Sequence, residues 1–185
     1  MTVTTVSLTL AAASSASAAT VFGFQTPYAP SNWTFTNSNA NGLVNTGGAP
    51  ASISLTGGDN GSNSSGTTNY TTTAAGTVTF DWNYSTNDGP LLDRFGYLLN
   101  GSFTQVTNNG GDVDQNGTST FNVLAGDSFG FRIFTTDNTG GRASVTISNF
   151  SAPAPVPASV PEPSTVLSLL VLGGLGAGLK YLNRN

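Results

Sequence analysis

Between Thr77 and Tyr84 the chain alternates strictly: Val78, Phe80, Trp82 and Tyr84 fall on one side of an extended segment, and Thr77, Thr79, Asp81 and Asn83 on the other. That period of two predicts a strand with one face buried and the other in water. Downstream, residues 95–99 and 102–106 flank Asn100-Gly101. The pair suits a type I′ hairpin, because both central positions of that turn need positive φ. Further strands are predicted over residues 119–124, 128–135 and 143–150, with Ala125-Gly126-Asp127 turning between the first two. In the second of these, Phe129, Phe131 and Ile133 lie opposite Gly130, Arg132 and Phe134, which directs Arg132 away from the core or beneath a loop. In the last, Val145 and Ile147 oppose Ser144, Thr146 and Ser148, and Phe150 closes the domain. Trp33-Thr34-Phe35 and Ile53-Ser54-Leu55 are shorter candidate strands, while residues 59–68, DNGSNSSGTT, read as a polar loop.

Strands at this spacing, with no amphipathic helix between them, predict an all-β fold: a two-sheet, jelly-roll-like β-sandwich over residues 19–150. No internal repeat supports a propeller or a solenoid. The aromatic stock for the core is Trp33, Phe35, Phe80, Trp82, Tyr84, Phe95, Phe103, Phe121, Phe129 and Phe131. The competing use of such residues is an exposed Trp or Tyr row on which sugar rings stack.

The two ends differ from this body. Residues 3–13 form an uncharged apolar run, followed by small residues with Ala16 and Ala18 in the A-x-A arrangement that signal peptidase accepts. Residues 1–18 therefore read as a signal peptide, although no Lys or Arg precedes the run. The other reading is an Ala/Thr-rich first element of the mature domain. At the far end, residues 151–160 are a Pro/Ala-rich linker, in which prolines remove amide donors and hold an extended path. Residues 165–182 then predict a short transmembrane helix. Its uncharged stretch to Leu179 rises about 22 Å and reaches a span only if Lys180 snorkels. A buried core helix is the alternative, opposed by the proline linker and by the lack of an amphipathic stripe. Lys180 and Arg184 place the tail in the cytoplasm and the body outside. Gly174 and Gly178 form a G-x-x-x-G, which either lets two helices approach or reflects the frequency of Gly in such spans.

Pro161-Glu162-Pro163, between Val160 and Ser164 and followed by an apolar helix and a basic tail, resembles the PEP-CTERM sorting signal of bacterial exported proteins. The resemblance covers residues 160–185. It implies recognition by a membrane-embedded, exosortase-type transpeptidase that cleaves near the triplet. It further implies an inner-membrane intermediate, then a place at the cell surface, in the outer membrane or in the secreted fraction, within an exopolysaccharide-rich biofilm matrix. The two prolines hold Glu162 extended and accessible just outside the membrane, as a recognition handle rather than a catalyst. The body segments AGDSFGFRIFTTDN and GRASVTISNFSAP are similar to small surface sandwiches that carry the same signal, a similarity that implies no activity.

Composition narrows the chemistry. The 185 residues include no His and no Cys, which removes Ser-His-Asp and Cys-His nucleophile systems, ordinary zinc or haem ligation, and disulfides. A net charge of -4, with 5 Lys+Arg against 9 Asp+Glu, leaves no electrostatic footprint for nucleic acid. No cofactor is implied, and any metal must be held by oxygen. Asp112, Asp114 and Asn116, followed by Gly117, repeat the opening of a calcium loop, with the Thr118 carbonyl as a further donor. Val123 stands where the complete motif needs a bidentate Glu, so the same residues also read as an Asn116-Gly117 turn. Among Asp81, Asp88, Asp93, Asp112, Asp114, Asp127 and Asp137, no spacing selects a glycosidase pair. Turn chemistry accounts for Asp88, Asp93 and Asp127. The expected function is a non-enzymatic cell-surface or matrix protein. The alternative is a carbohydrate-binding module for exopolysaccharide, stabilised by calcium. Ice binding through runs such as Thr71-Thr72-Thr73 lacks the repeated T-x-T it needs.

Overall fold

A computed structural model describes residues 18–155. The expected signal peptide up to residue 17, residues 156–160 of the linker, and the sorting segment with the expected transmembrane helix lie outside the described residues. Eleven strands and a single 3-10 turn, Pro30–Asn32, make up the body. The strands are β1 (Thr20–Phe22), β2 (Thr34–Ser38), β3 (Val44–Asn45), β4 (Ser52–Thr56), β5 (Gly66–Thr73) and β6 (Gly76–Ser85). They continue as β7 (Asp93–Leu99), β8 (Ser102–Gln105), β9 (Asp114–Val123), β10 (Ser128–Thr135) and β11 (Ser144–Pro153). One antiparallel sheet has the order β3-β4-β11-β6-β9, with β1 on β11, and the other has the order β2-β5-β10-β7-β8. The expected two-sheet sandwich is therefore present. Among the described residues no helix is long and apolar enough to cross a membrane.

The alternation in β6 places Val78, Phe80, Trp82 and Tyr84 in the core, none more than 8% exposed. The hairpin between β7 and β8 is closed by Asn100 at φ 50° and Gly101 at φ 80°, both in the left-handed region that a type I′ turn demands. In β10, Phe129, Phe131 and Ile133 face inward and Arg132 faces out, as predicted.

Other elements depart from expectation. The strand begins at Thr34 rather than at Trp33; Trp33 is buried as the residue closing the 3-10 turn, and Phe35 is 43% exposed at the sheet edge. Phe103 also lies outside the core, on the outer face of the five-stranded sheet, and Phe121 packs partly buried against it. In their place Phe24, Tyr28, Tyr70 and Phe150 fill the interior. The polar loop ends earlier than its composition suggests, because Gly66, Thr67 and Thr68 open β5. Tyr70 is the one large apolar residue that strand turns inward, so its hydrophobic pattern is faint. The linker starts later: Ser151, Ala152 and Pro153 still belong to β11 and pair with β1.

Asn116 and Gly117 lie within the edge strand β9, opposite Asn83 and Trp82, and not in a turn. Gly117 is required there by packing across the strands. A Cβ at this position would stand 2.9 Å from the Trp82 ring, which extends over the glycine. Gly117→Val should therefore force Trp82 out of its place and cost about 1–3 kcal/mol, as overpacking does. Chemical denaturation with Trp fluorescence checks this, and unchanged stability would mean that Trp82 does not need the gap.

Candidate functional site

The outer face of the six-stranded sheet is built almost entirely from Ser, Thr, Asn and Asp, because the residues alternating with the core set are polar in β4, β6, β9 and β11 at once. Hydrogen bonds tie neighbouring strands side chain to side chain: Thr77 Oγ1 donates to Asn122 Oδ1 at 2.9 Å, and Thr79 and Thr120 join through their hydroxyls at 3.1 Å. At the centre, Asp81 accepts from the Thr118 hydroxyl at 2.5 Å and from Asn149 Nδ2 at 2.7 Å. Asn149 reaches it from a bulge in β11 where its φ is 47°. Its amide first, and then Thr118, hold the Asp81 carboxyl below its usual range, so this exposed group is an anchored anion. Asn116, Gly117 and Ser148 border the shallow depression beside it.

The calcium expectation meets a different geometry. Asp112 precedes β9, and its backbone carbonyl accepts from Gln115 Nε2 at 2.9 Å. Asp114 opens β9 opposite Ser85, and Asn116 follows two residues on, opposite Asn83. Alternate side chains of a strand stand roughly 6.5 Å apart and point the same way, so Asp114 and Asn116 do not converge as they would in a loop. Among the described residues no group of three or more acidic side chains is placed to hold a metal ion. The sorting residues Pro161, Glu162, Pro163, Lys180 and Arg184 lie outside the described residues.

A second polar constellation, invisible in the sequence, lies beneath the loops at one end of the sandwich. Asp93 at the start of β7 is fully buried. Its Oδ2 accepts from the Thr86 hydroxyl at 3.0 Å, its Oδ1 has no partner, and its backbone carbonyl accepts from the Tyr84 hydroxyl. Burial pushes the Asp93 carboxyl up to about 6; Asp88 and Asp137 add repulsion, and Thr86 and Thr135 pull the other way. Asp88 is raised too, chiefly by burial and then by Asp137 and Asp59. Turn chemistry alone does not explain Asp93: it is an acid enclosed among other acids.

The described residues and the C-terminus together define a β-sandwich protein with a sorting signal behind it. That signal is the PEP-CTERM protein-sorting motif, whose family model matches residues 159–184. No curated protein matches the chain. Among solved structures, the chain is similar to one described as "Structural basis for the promiscuous specificity of the carbohydrate-binding modules from the beta-sandwich super family". The identity there is 13% and the TM-score 0.45, over 74% of this chain and 62% of that one, so this chain spans less than two thirds of that protein. TmCBM61 in complex with β-1,4-galactotriose matches at 12% identity and TM-score 0.39, over 71% of this chain and 94% of that one. The secreted serine protease VesC from Vibrio cholerae matches at 17% and 0.36, over 62% and 25%. At these values the likeness says nothing of what this chain binds.

Asp93 gives the body a pH dependence of definite sign. An acid whose folded pKa of about 6 lies above its ordinary 3.8 holds its proton more tightly in the folded state. Its contribution to stability is therefore full below 3.8 and is lost as pH rises through about 6. Stability should fall by about 1–2 kcal/mol between acid and neutral pH, after allowance for solvent screening. Asp93→Asn should remove most of that fall. Denaturant titrations at several pH values measure it, and the same slope in the variant would contradict the assignment.

Proposed function

We propose that this is an exported, non-enzymatic protein of the cell surface or extracellular matrix, delivered and processed through its C-terminal signal by an exosortase-type transpeptidase. The observation that carries the reading is the PEP-CTERM motif over residues 159–184, joined to a body whose two Trp residues and most of whose Tyr residues are committed to its own core. An exposed Trp or Tyr row would have favoured a stacking platform for neutral glycans. Both Trp residues are instead 8% exposed, and Tyr28, Tyr70 and Tyr84 are buried. The outward groups are the hydroxyls and amides described above, which suit a hydrated matrix better than a cleft for catalysis. Enzymatic use of the carboxylates lacks a matched pair: Asp81 is an anchored anion in the open, and Asp93 is sealed from substrate.

The proposed route runs from signal-peptide export, through an inner-membrane intermediate held by the transmembrane helix expected over residues 165–182, to cleavage near Pro161-Glu162-Pro163. The body then reaches the cell surface, the outer membrane or the medium. Glu162→Ala should leave the sandwich folded and the protein retained in the inner-membrane fraction at its unprocessed size. Cell fractionation with immunoblotting reads the outcome, and normal surface display of the variant would overturn the sorting role of Glu162.

A further inference from the structure

The outer face of the five-stranded sheet differs from that of its partner sheet in charge and in kind. The body has three arginines, Arg94, Arg132 and Arg142, and two of them stand on this face. Register places Thr36, Asn69, Arg132, Gly96 and Gln105 in one row across all five strands. Phe134 faces Arg94 in the adjoining row, and Leu98 faces Phe103 in the row on the other side. No Asp or Glu occurs in these rows, although acids outnumber bases in the body.

Two details turn this face into a built surface. Phe103 folds back over Gly96, where a Cβ would stand 2.8 Å from its ring, so the ring lies along the sheet beside Arg132. The Arg132 guanidinium is 5.7 Å from the centre of that ring, and that of Arg94 lies 4.4 Å over Phe134. Arg132 Nε donates to Asn69 Oδ1 at 2.7 Å, and Asn69 Nδ2 in turn reaches Thr36 Oγ1 at 3.2 Å. One edge of the guanidinium is thereby fixed, while its two terminal nitrogens make no hydrogen bond to the described residues.

We infer that this face is a binding site for an acidic saccharide, with Arg132 holding the carboxylate of a uronic acid residue through its terminal nitrogens and Phe103 supporting the apolar side of a sugar ring. The chemistry follows from the parts. A planar guanidinium offers paired donors that match a carboxylate, and it is strongest where water is partly excluded and its orientation is set beforehand. Burial already lowers the Arg132 pKa from its ordinary value, a cost that no protein carboxylate on this face offsets. Asn69 is a positioning residue, Thr36 lines the same row with its hydroxyl, and Gln105, whose Nε2 donates to the Thr107 carbonyl at 2.7 Å and to Asn109 Oδ1 at 2.5 Å, offers its Oε1 as an acceptor. The inference goes beyond the sorting role and does not depend on it, since binding is measured in vitro.

The test titrates the full chain, purified in detergent, with an oligogalacturonate, with its methyl ester and with a neutral dextran oligosaccharide. The oligogalacturonate should bind with an affinity that falls as salt is raised, and the ester and dextran at least about tenfold more weakly. Arg132→Gln should lower the affinity about tenfold or more, and Arg132→Lys, which keeps the charge but not the fork, should fall between. Phe103→Leu should weaken binding with the salt dependence unchanged, and Arg142→Gln, in the segment before β11 and outside these rows, should bind as the parent does. Absence of oligogalacturonate binding, equal binding of the ester, or indifference to both Arg132 variants would overturn the site. None of these results would alter the expected retention of Glu162→Ala in the inner membrane.

Discussion

Trp33 stacks on both Tyr70 and Phe131, with ring centres 4.9 and 5.4 Å away, and meets Phe129 and Phe150 edge-on. Its indole N–H donates to the Tyr28 carbonyl at 3.0 Å, which binds the segment before β2 into the gap between the sheets. Phe24 stacks on Phe150 from the same segment, and the Tyr28 hydroxyl reaches the Pro153 carbonyl near the end of β11. With no cysteine available, this aromatic cluster is what joins the two sheets at that end and couples the first strands to the last. Each such ring buries a large apolar area and adds pair geometry to it. Much of the body's aromatic supply is thereby committed to holding the sandwich together.

That commitment shapes both outer faces. On the six-stranded sheet the side chains left over are short and polar, cross-linked into ladders, with Asp81 anchored among them. On the five-stranded sheet two phenyl rings, Phe103 and Phe134, and two guanidiniums remain outside, in rows without acids. The body thus presents two chemically distinct faces. Its enclosed acid, Asp93, belongs to the architecture under the loops, where it ties Thr86 to the start of β7 and makes stability depend on pH.

The strands that alternate over a strongly apolar inner face, β6 and β10, were legible in the sequence, as was the Asn100-Gly101 hairpin, where φ dictates residue type. What escaped was written in weaker or longer-range terms. β5 turns only Tyr70 inward as a large apolar group, so its pattern merges with the polar stretch before it. Phe24 and Tyr28 reach the core from irregular chain, where no period marks them. Gly117 looked like a turn residue because its true reason, the Trp82 ring on the neighbouring strand, is 35 positions away in the chain. Asp114 and Asn116 have calcium-loop spacing, but backbone pairing with β6 holds them extended. The sorting motif was legible for the opposite reason: it is read locally, as a short linear segment.

The proposed route removes both terminal segments from a body held together by its own aromatic core. The intact mass of the protein recovered from the surface or the medium tests this division of labour most directly. The account predicts a chain that starts near Ala19 and ends near Pro161, and recovery of the same protein with both terminal segments still attached would contradict it.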